Sequence, residues 1–301
     1  MKKWILFPLS FLLMIPALIL GHLLYLYTHL EFTVDDFQVP FLLESQESSF
    51  LDEKEMEGVN RVLNQRYSYL ACGKQMTAFE SADHRYVIKF FNPRPVLKKR
   101  WFRDSKKWRR FSSLKWISNA YFKRKERLTK LYQRYQMGFE ELKEEAGLVF
   151  VHLKPSTSLL SKMHLVDKGG KSHQIDLDTY PFVLQKKATL VTCQLDLFIR
   201  ERNFEGIKRS IEQLRTLFLS RAKKGFTDRI QTLHNNYGFV DELAVQIDLG
   251  RIRKDESVQK MPEQEFEKVF SEVFNALSQR YVEIKDWKYR IPTCREKNSS
   301  Q

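Results

Sequence analysis

The chain has 301 residues, 43% hydrophobic and 29% charged, enough for one domain of ordinary size with a core and unlike a disordered tail. Only 11 glycines occur, with no GxGxxG or GxxxxGK(S/T) run, so a Rossmann or P-loop reading is unsupported; three widely spaced cysteines (Cys72, Cys193, Cys294) exclude a dense disulfide scaffold and any CxxC site, and no HExxH is present. The net charge of +14 is local: Arg94 to Arg134 holds sixteen Lys or Arg against two acids (Asp104, Glu126), so the remainder sums to neutral.

Two lysines precede an uncharged segment from Trp4 to Tyr27, in which His22 is the one residue that titrates near neutral pH. As a helix, this length reaches about 36 Å, more than a hydrocarbon core of ~30 Å. Trp4, Tyr25 and Tyr27 lie near its ends, as interfacial aromatics do. The pattern predicts a single N-terminal transmembrane helix within residues 1–30 and a single-pass membrane location. A signal peptide cleaved near Gly21 is the alternative. Lys2 and Lys3 before the span favour an N-inside orientation, and Glu31, Asp35 and Asp36 follow it.

Residues 31–60 read as an acidic connector. From Tyr67 to Phe91 the pattern is strand, glycine turn, strand, polar turn, strand, closed by Asn92, Pro93 and Pro95. From Val96 to Ala146 apolar residues recur at three or four positions, including Leu128, Leu131, Tyr135, Phe139 and Leu142, which predicts helix ending at Gly147. Leu148 to Leu153, Gln174 to Asp178 and Phe182 to Gln185 read as strands. The chain after Cys193 reads as mainly helical, with a strong helix over Glu205 to Lys223. Gly225 to Val240 reads as loop, Ala244 to Leu249 as strand and Pro262 to Tyr281 as an amphipathic helix. Strands come first and helices later, without a βαβ rhythm. That order predicts an α+β fold with a small sheet-rich lobe and a larger helical lobe over residues 61–290, a basic helical insert at 94–134 and a tail at 291–301.

Three pieces in order resemble the protein-kinase-like fold. The first is the strand unit ending in Val87-Ile88-Lys89, similar to the lysine strand of kinases. The second is the loop with Thr227-Asp228 and Asn235-Asn236-Tyr237 after a long helix, where kinases keep the catalytic loop. The third is Ile247-Asp248-Leu249-Gly250, similar to the metal-binding DFG segment. The resemblance covers most of Tyr67 to Tyr281. It implies ATP and Mg²⁺ as cofactors, Asp228 acting on the acceptor hydroxyl, and Asn235 and Asp248 as metal ligands, with Asn236 chemically equivalent to Asn235. It further implies Lys89 on the nucleotide phosphates, Gly73 and Gln75 in the phosphate-facing turn, and the Val183 to Lys186 segment, with Gln185, along adenine. A helix glutamate would pair Lys89; Glu140, Glu141, Glu144 and Glu145 compete, and the register favours Glu141.

The sequence also departs from the family pattern. One glycine, Gly73, remains in the turn, no His-Arg-Asp triplet occurs, Asp228 and Asn235 are seven residues apart, Leu249 replaces an aromatic, and no Ala-Pro-Glu follows. Two functions therefore stand: a membrane-anchored kinase-like phosphotransferase, and a catalytically inactive kinase-like binding module at a membrane surface. Each site residue also has a plain structural role open to it, as a solvent-facing strand residue (Lys89), a strand-end turn (Asp248), a cap or Asx turn (Asp228) or a turn former (Asn235). The basic stretch interleaves cations with Trp101, Trp108, Trp116 and Tyr121. It reads as a solvated helix face or as a surface for anionic lipid. Nucleic acid is a weak third, because no RNP1, KH or helix-turn-helix signature is present.

Overall fold

The computed structural model of the chain describes residues 51–92, 115–228 and 236–280, with isolated positions at 14, 16–18, 20 and 21. The first helix, α1 (Glu53–Leu63), begins where an acidic connector was expected. Asp52 caps it: Glu55 N donates to Asp52 Oδ1 at 2.7 Å and Asp52 N to Glu55 Oε2 at 3.2 Å, a reciprocal capping box. The acids of this segment thus form a helix start, where negative charge meets the positive end of the macrodipole.

Strands β1 (Arg66–Cys72), β2 (Met76–Ser81) and β3 (Tyr86–Phe91) follow as an antiparallel meander. They match the strand–turn–strand–turn–strand reading. A long helix, α2 (Lys115–Glu141), carries the second half of the basic stretch and buries Leu128, Leu131, Tyr132, Tyr135 and Phe139 on one side. Residues 94–114 of that stretch lie outside the described residues. The chain turns at Gly147, whose φ of +59° suits a residue without Cβ, and enters β4 (Leu148–His152). Strands β5 (Lys162–Val166), β6 (Ser172–Asp176) and β7 (Phe182–Lys186) complete a seven-stranded sheet in the order β4-β7-β3-β2-β1-β5-β6. The β1–β5 pair is parallel and the other pairs are antiparallel.

Beyond the sheet come β8 (Thr189–Leu190), α3 (Val191–Arg200) and α4 (Phe204–Lys223). Four short strands follow: β9 (Phe226–Asp228), β10 (Tyr237–Val240), β11 (Leu243–Gln246) and β12 (Ile252–Lys254). Helices α5 (Glu256–Lys260) and α6 (Pro262–Arg280) close the described chain. The expected loop over 225–240 therefore contains two strands. They are three and four residues long; β9 pairs with the distant β12, and β10 with the adjacent β11 and the distant β8. A run so short has too few residues to display a period of two.

The expected fold class, a two-lobed kinase-like domain behind one N-terminal transmembrane helix, is corrected. The described chain is α+β around a seven-stranded mixed sheet, and no helix among the described residues is long and apolar enough to cross a membrane, so the transmembrane helix is not supported. Most of the apolar segment 4–27 lies outside the described residues.

Three clusters of buried side chains hold these elements. One joins α1 to the sheet through Val59, Leu63, Phe79, Phe90 and Phe182. Another joins α3, α4, β10 and α6 through Leu195, Leu214, Phe218, Tyr237 and Phe274. The third links α2 and the sheet to the short strands, because Phe91, Leu131, Tyr135 and Val183 share it with Phe226, Leu249 and Ile252. This third cluster is the floor of the site.

Candidate functional site

Lys89 is the polar interruption of β3, where Val87, Ile88, Phe90 and Phe91 are buried. Its Nζ donates to Ile247 O at 2.6 Å, a contact across 158 positions of sequence. Loss of water around the ammonium lowers its pKa to about 8, and the carboxylate of Asp248 acts in the opposite sense. The strand lysine and the Asp248 segment, two of the three pieces singled out in the sequence, therefore meet.

Asp248 is half-buried and shapes its own turn, since Oδ1 accepts from Gly250 N at 2.8 Å. Helix α2 fixes the turn at three successive points. The Tyr135 phenol oxygen accepts from the Leu249 backbone N–H, and burial together with the Asp248 charge drives the Tyr135 phenol far above its ordinary value. The guanidinium of Arg134 donates to Gly250 O. Leu249, fully buried, occupies the space over Gly138, where any Cβ would collide with its side chain.

The turn between β1 and β2 lies against the same segment. Gly73 N donates to Met76 O at 2.8 Å to close it, and Gln75 O accepts from Asn92 N at 2.8 Å. The Gln75 side chain rests against Gly250, so a Cβ there would strike Gln75 Oε1 and come within 3.0 Å of Asp248 Oδ1. The Gln75 side chain is thus brought to the Asp248–Gly250 turn, while the backbone of Gly73 closes the turn that carries it.

Asp228, the last residue of β9, is buried at 6% exposure, and its link to Asp248 is Gln246. Gln246 is fully buried on β11; its Nε2 donates to Asp228 Oδ2 at 3.1 Å and to Asp248 O at 3.0 Å. Behind it, Gln185 on β7 donates from Nε2 to Ala146 O and to Gln246 O at 3.4 Å. The backbone of Gln185 pairs with Val87 on one side and Leu148 on the other, in the middle of the sheet. Gln185 therefore meets the site through Gln246. Beside Asp228, Tyr237 is buried with its hydroxyl accepting from Arg221 at 2.8 Å, and burial raises its pKa.

The expected Lys89–Glu141 pair is corrected. Glu141 closes α2, about six residues or ~9 Å of helix beyond Tyr135. There its carboxylate binds Lys254 and its carbonyl accepts from Lys224 at 3.0 Å. The competing acids are also placed elsewhere. Glu140 accepts from Gln136 at 2.6 Å, Glu145 binds Lys224 and Ser220, and Glu144 is exposed. At the level of the site α2 presents Tyr135 and Arg134, and the acidic neighbour of Lys89 is Asp248.

Asn235 lies outside the described residues; Asn236 O accepts from Ile247 N at 2.8 Å, directly before Asp248. Among the described residues no group of three or more His, Cys, Asp or Glu could hold a metal ion. That does not conflict with Mg²⁺, which uses one or two carboxylates and completes its shell with water and substrate phosphate. Asp248 offers one such carboxylate, and its backbone carbonyl is tied to Asp228 through Gln246. A cavity of about 920 Å³ lies elsewhere, between α1, α4 and the β10–β11 turn, and none of Lys89, Asp228 or Asp248 lines it.

The sequence reading missed Gln246, Tyr135, Arg134 and Gly138. Gln246 carried a faint signal as the one amide after Leu243, Ala244 and Val245 in a strand buried at its last three positions. The other three are ordinary helix residues whose role depends on a segment more than a hundred positions away.

No family model and no curated protein matches the chain. The fold by itself does not identify a kinase-like domain.

Proposed function

We propose that this chain binds Mg²⁺–ATP where β3, the 72–76 turn and the Asp248 segment converge, and that it is a phosphotransferase. The observation that carries the reading is the meeting of Lys89 with the Ile247–Asp248 segment while Gln246 ties that segment to Asp228. Phosphoryl transfer needs a fixed cation, oxygen ligands for a divalent metal and a carboxylate at the acceptor. Lys89, Asp248 and Asp228 supply those three chemistries in one place. Asp248 would hold the metal, which when bound neutralises charge on the phosphates.

A second reading, nucleotide binding without turnover, is favoured by a specific observation. Lys89 is held by a carbonyl and by Asp248 rather than by a helix carboxylate, and Glu141 is committed to Lys254.

Two variants distinguish these readings. Asp228→Asn is expected to leave Mg²⁺–ATP affinity nearly intact while lowering turnover by about 10²–10⁴, the usual worth of a positioned base. Asp248→Asn is expected to weaken the metal-dependent part of binding. ATP hydrolysis and ATP titration on the full chain read both. Turnover that survives both substitutions would overturn the site assignment. Binding without turnover in the unaltered protein would leave the second reading standing.

A further inference from the structure

Resting on the Mg²⁺–nucleotide reading, we infer that Gln246 is a positioning residue, setting Asp228, the acceptor carboxylate, and the Asp248 segment, the metal ligand, in one fixed relation. The primary amide has two N–H donors, and both are used, one on Asp228 Oδ2 at 3.1 Å and one on Asp248 O at 3.0 Å. Its other end, Oε1, is buried with no hydrogen-bond partner among the described residues. The orientation of the amide is therefore set by the two acceptors alone. Turning it over would place Oε1 against a carboxylate oxygen and a carbonyl oxygen, with repulsion at both.

The cost of an unsatisfied buried acceptor is accepted in exchange for a fixed bridge. Gln246 has no freedom to relax, being fully buried, and its own carbonyl accepts from Gln185. Asp228 ends β9 and Asp248 follows β11, and these strands belong to different sheets. Gln246 is thus a side-chain link between two strand systems at the point where both deliver a carboxylate. Removing it takes one hydrogen bond from the Asp228 carboxylate and one from the carbonyl of Asp248.

The experiment is titration of the full chain with ATP, with and without MgCl₂, for the unaltered protein, Gln246→Met and Gln246→Glu across pH. Methionine keeps length and burial but donates nothing. It is expected to leave Mg²⁺-free ATP affinity nearly unchanged and to lose about tenfold of the gain that Mg²⁺ confers, the usual scale for a residue orienting a metal ligand. Glutamate sets a carboxylate against Asp228 at neutral pH and regains one donor when protonated. Its Mg²⁺-dependent gain is expected to recover as pH falls, a trend that neither the unaltered chain nor Gln246→Met follows.

A purely structural role would lower affinity equally with and without Mg²⁺ and give no such recovery. If Gln246→Met keeps the full Mg²⁺ gain and Gln246→Glu shows no recovery, the inference is overturned while the nucleotide site stands. If the unaltered chain gains nothing from Mg²⁺, the nucleotide reading falls and this inference with it. Should Gln246→Met fail to fold, the Gln246→Glu pH series decides alone.

Discussion

Lys89 combines a packing cost with the binding role proposed for it. Its ammonium donates to one carbonyl and is otherwise removed from water, which lowers its pKa to about 8 from the ordinary 10.5. In the unfolded chain the amine binds its proton up to the higher value. Between about pH 8 and 10.5 the unfolded state therefore holds more protons, and the folded state gains stability as pH rises through that window. Below pH 8 the net penalty is complete, on the order of 3 kcal/mol, with the opposing charge of Asp248 already included. Lys89→Met replaces a desolvated cation with an apolar chain of similar length. The variant is expected to be at least as stable as the parent at pH 7 without ligand, with a flatter rise toward pH 10, while losing most of its affinity for ATP. Urea unfolding at several pH values, beside an ATP titration, checks both parts. A variant strongly destabilised at pH 7 would mean that Lys89 serves the fold rather than a phosphate.

At the scale of elements, α2 holds the Asp248 segment. Arg134, Tyr135 and Gly138 occupy adjoining positions on one helix and contact Gly250, the Leu249 backbone and the Leu249 side chain in turn. A methyl group at Gly138 would displace a fully buried leucine whose neighbours leave it little room. Alanine also favours helix by about 1 kcal/mol over glycine, so an exposed glycine would give a gain on substitution. Here overpacking of about 1–3 kcal/mol opposes it. Gly138→Ala is therefore expected to lower the thermal midpoint and weaken nucleotide binding together. A stabilised variant with unchanged binding would show that Leu249 repacks freely and that α2 does not control Asp248.

The same elements show what the sequence made readable. The β1–β2–β3 meander and the amphipathic pattern of α4 were legible because each spans enough residues to display its period. Strands β9 and β12 were not, because each exists through the other. Lys89, Asp248 and Asp228 could be named from residue type and order. The partner of Lys89 could not, because Glu141 and Tyr135 lie on the same helix and differ only in how far along it the Asp248 turn crosses. Gln246 stood in plain view and was passed over, since an amide in a short apolar strand does not show which carboxylates it will meet.

At the scale of the whole molecule, the cluster that contains Leu249 also contains Phe91 and Val183 of the sheet and Phe226 and Ile252 of the short strands. Lys89 arrives from the sheet, Asp228 and Asp248 from the short strands, and α2 packs across both. A ligand bridging Lys89 and Asp248 would therefore tie the two strand systems together and raise the stability of the whole domain by mass action. The most direct measurement is the thermal midpoint of the full chain with MgCl₂ alone, ATP alone and the two combined, for the parent and for Asp248→Asn. The account predicts a clear upward shift for the combination, equivalent to about 2.7 kcal/mol at one hundred times the dissociation constant. It predicts a smaller shift for ATP alone and loss of the difference in Asp248→Asn. A folded parent protein with no shift at millimolar Mg²⁺–ATP, or an Asp248→Asn variant that shifts as far as the parent, would contradict it.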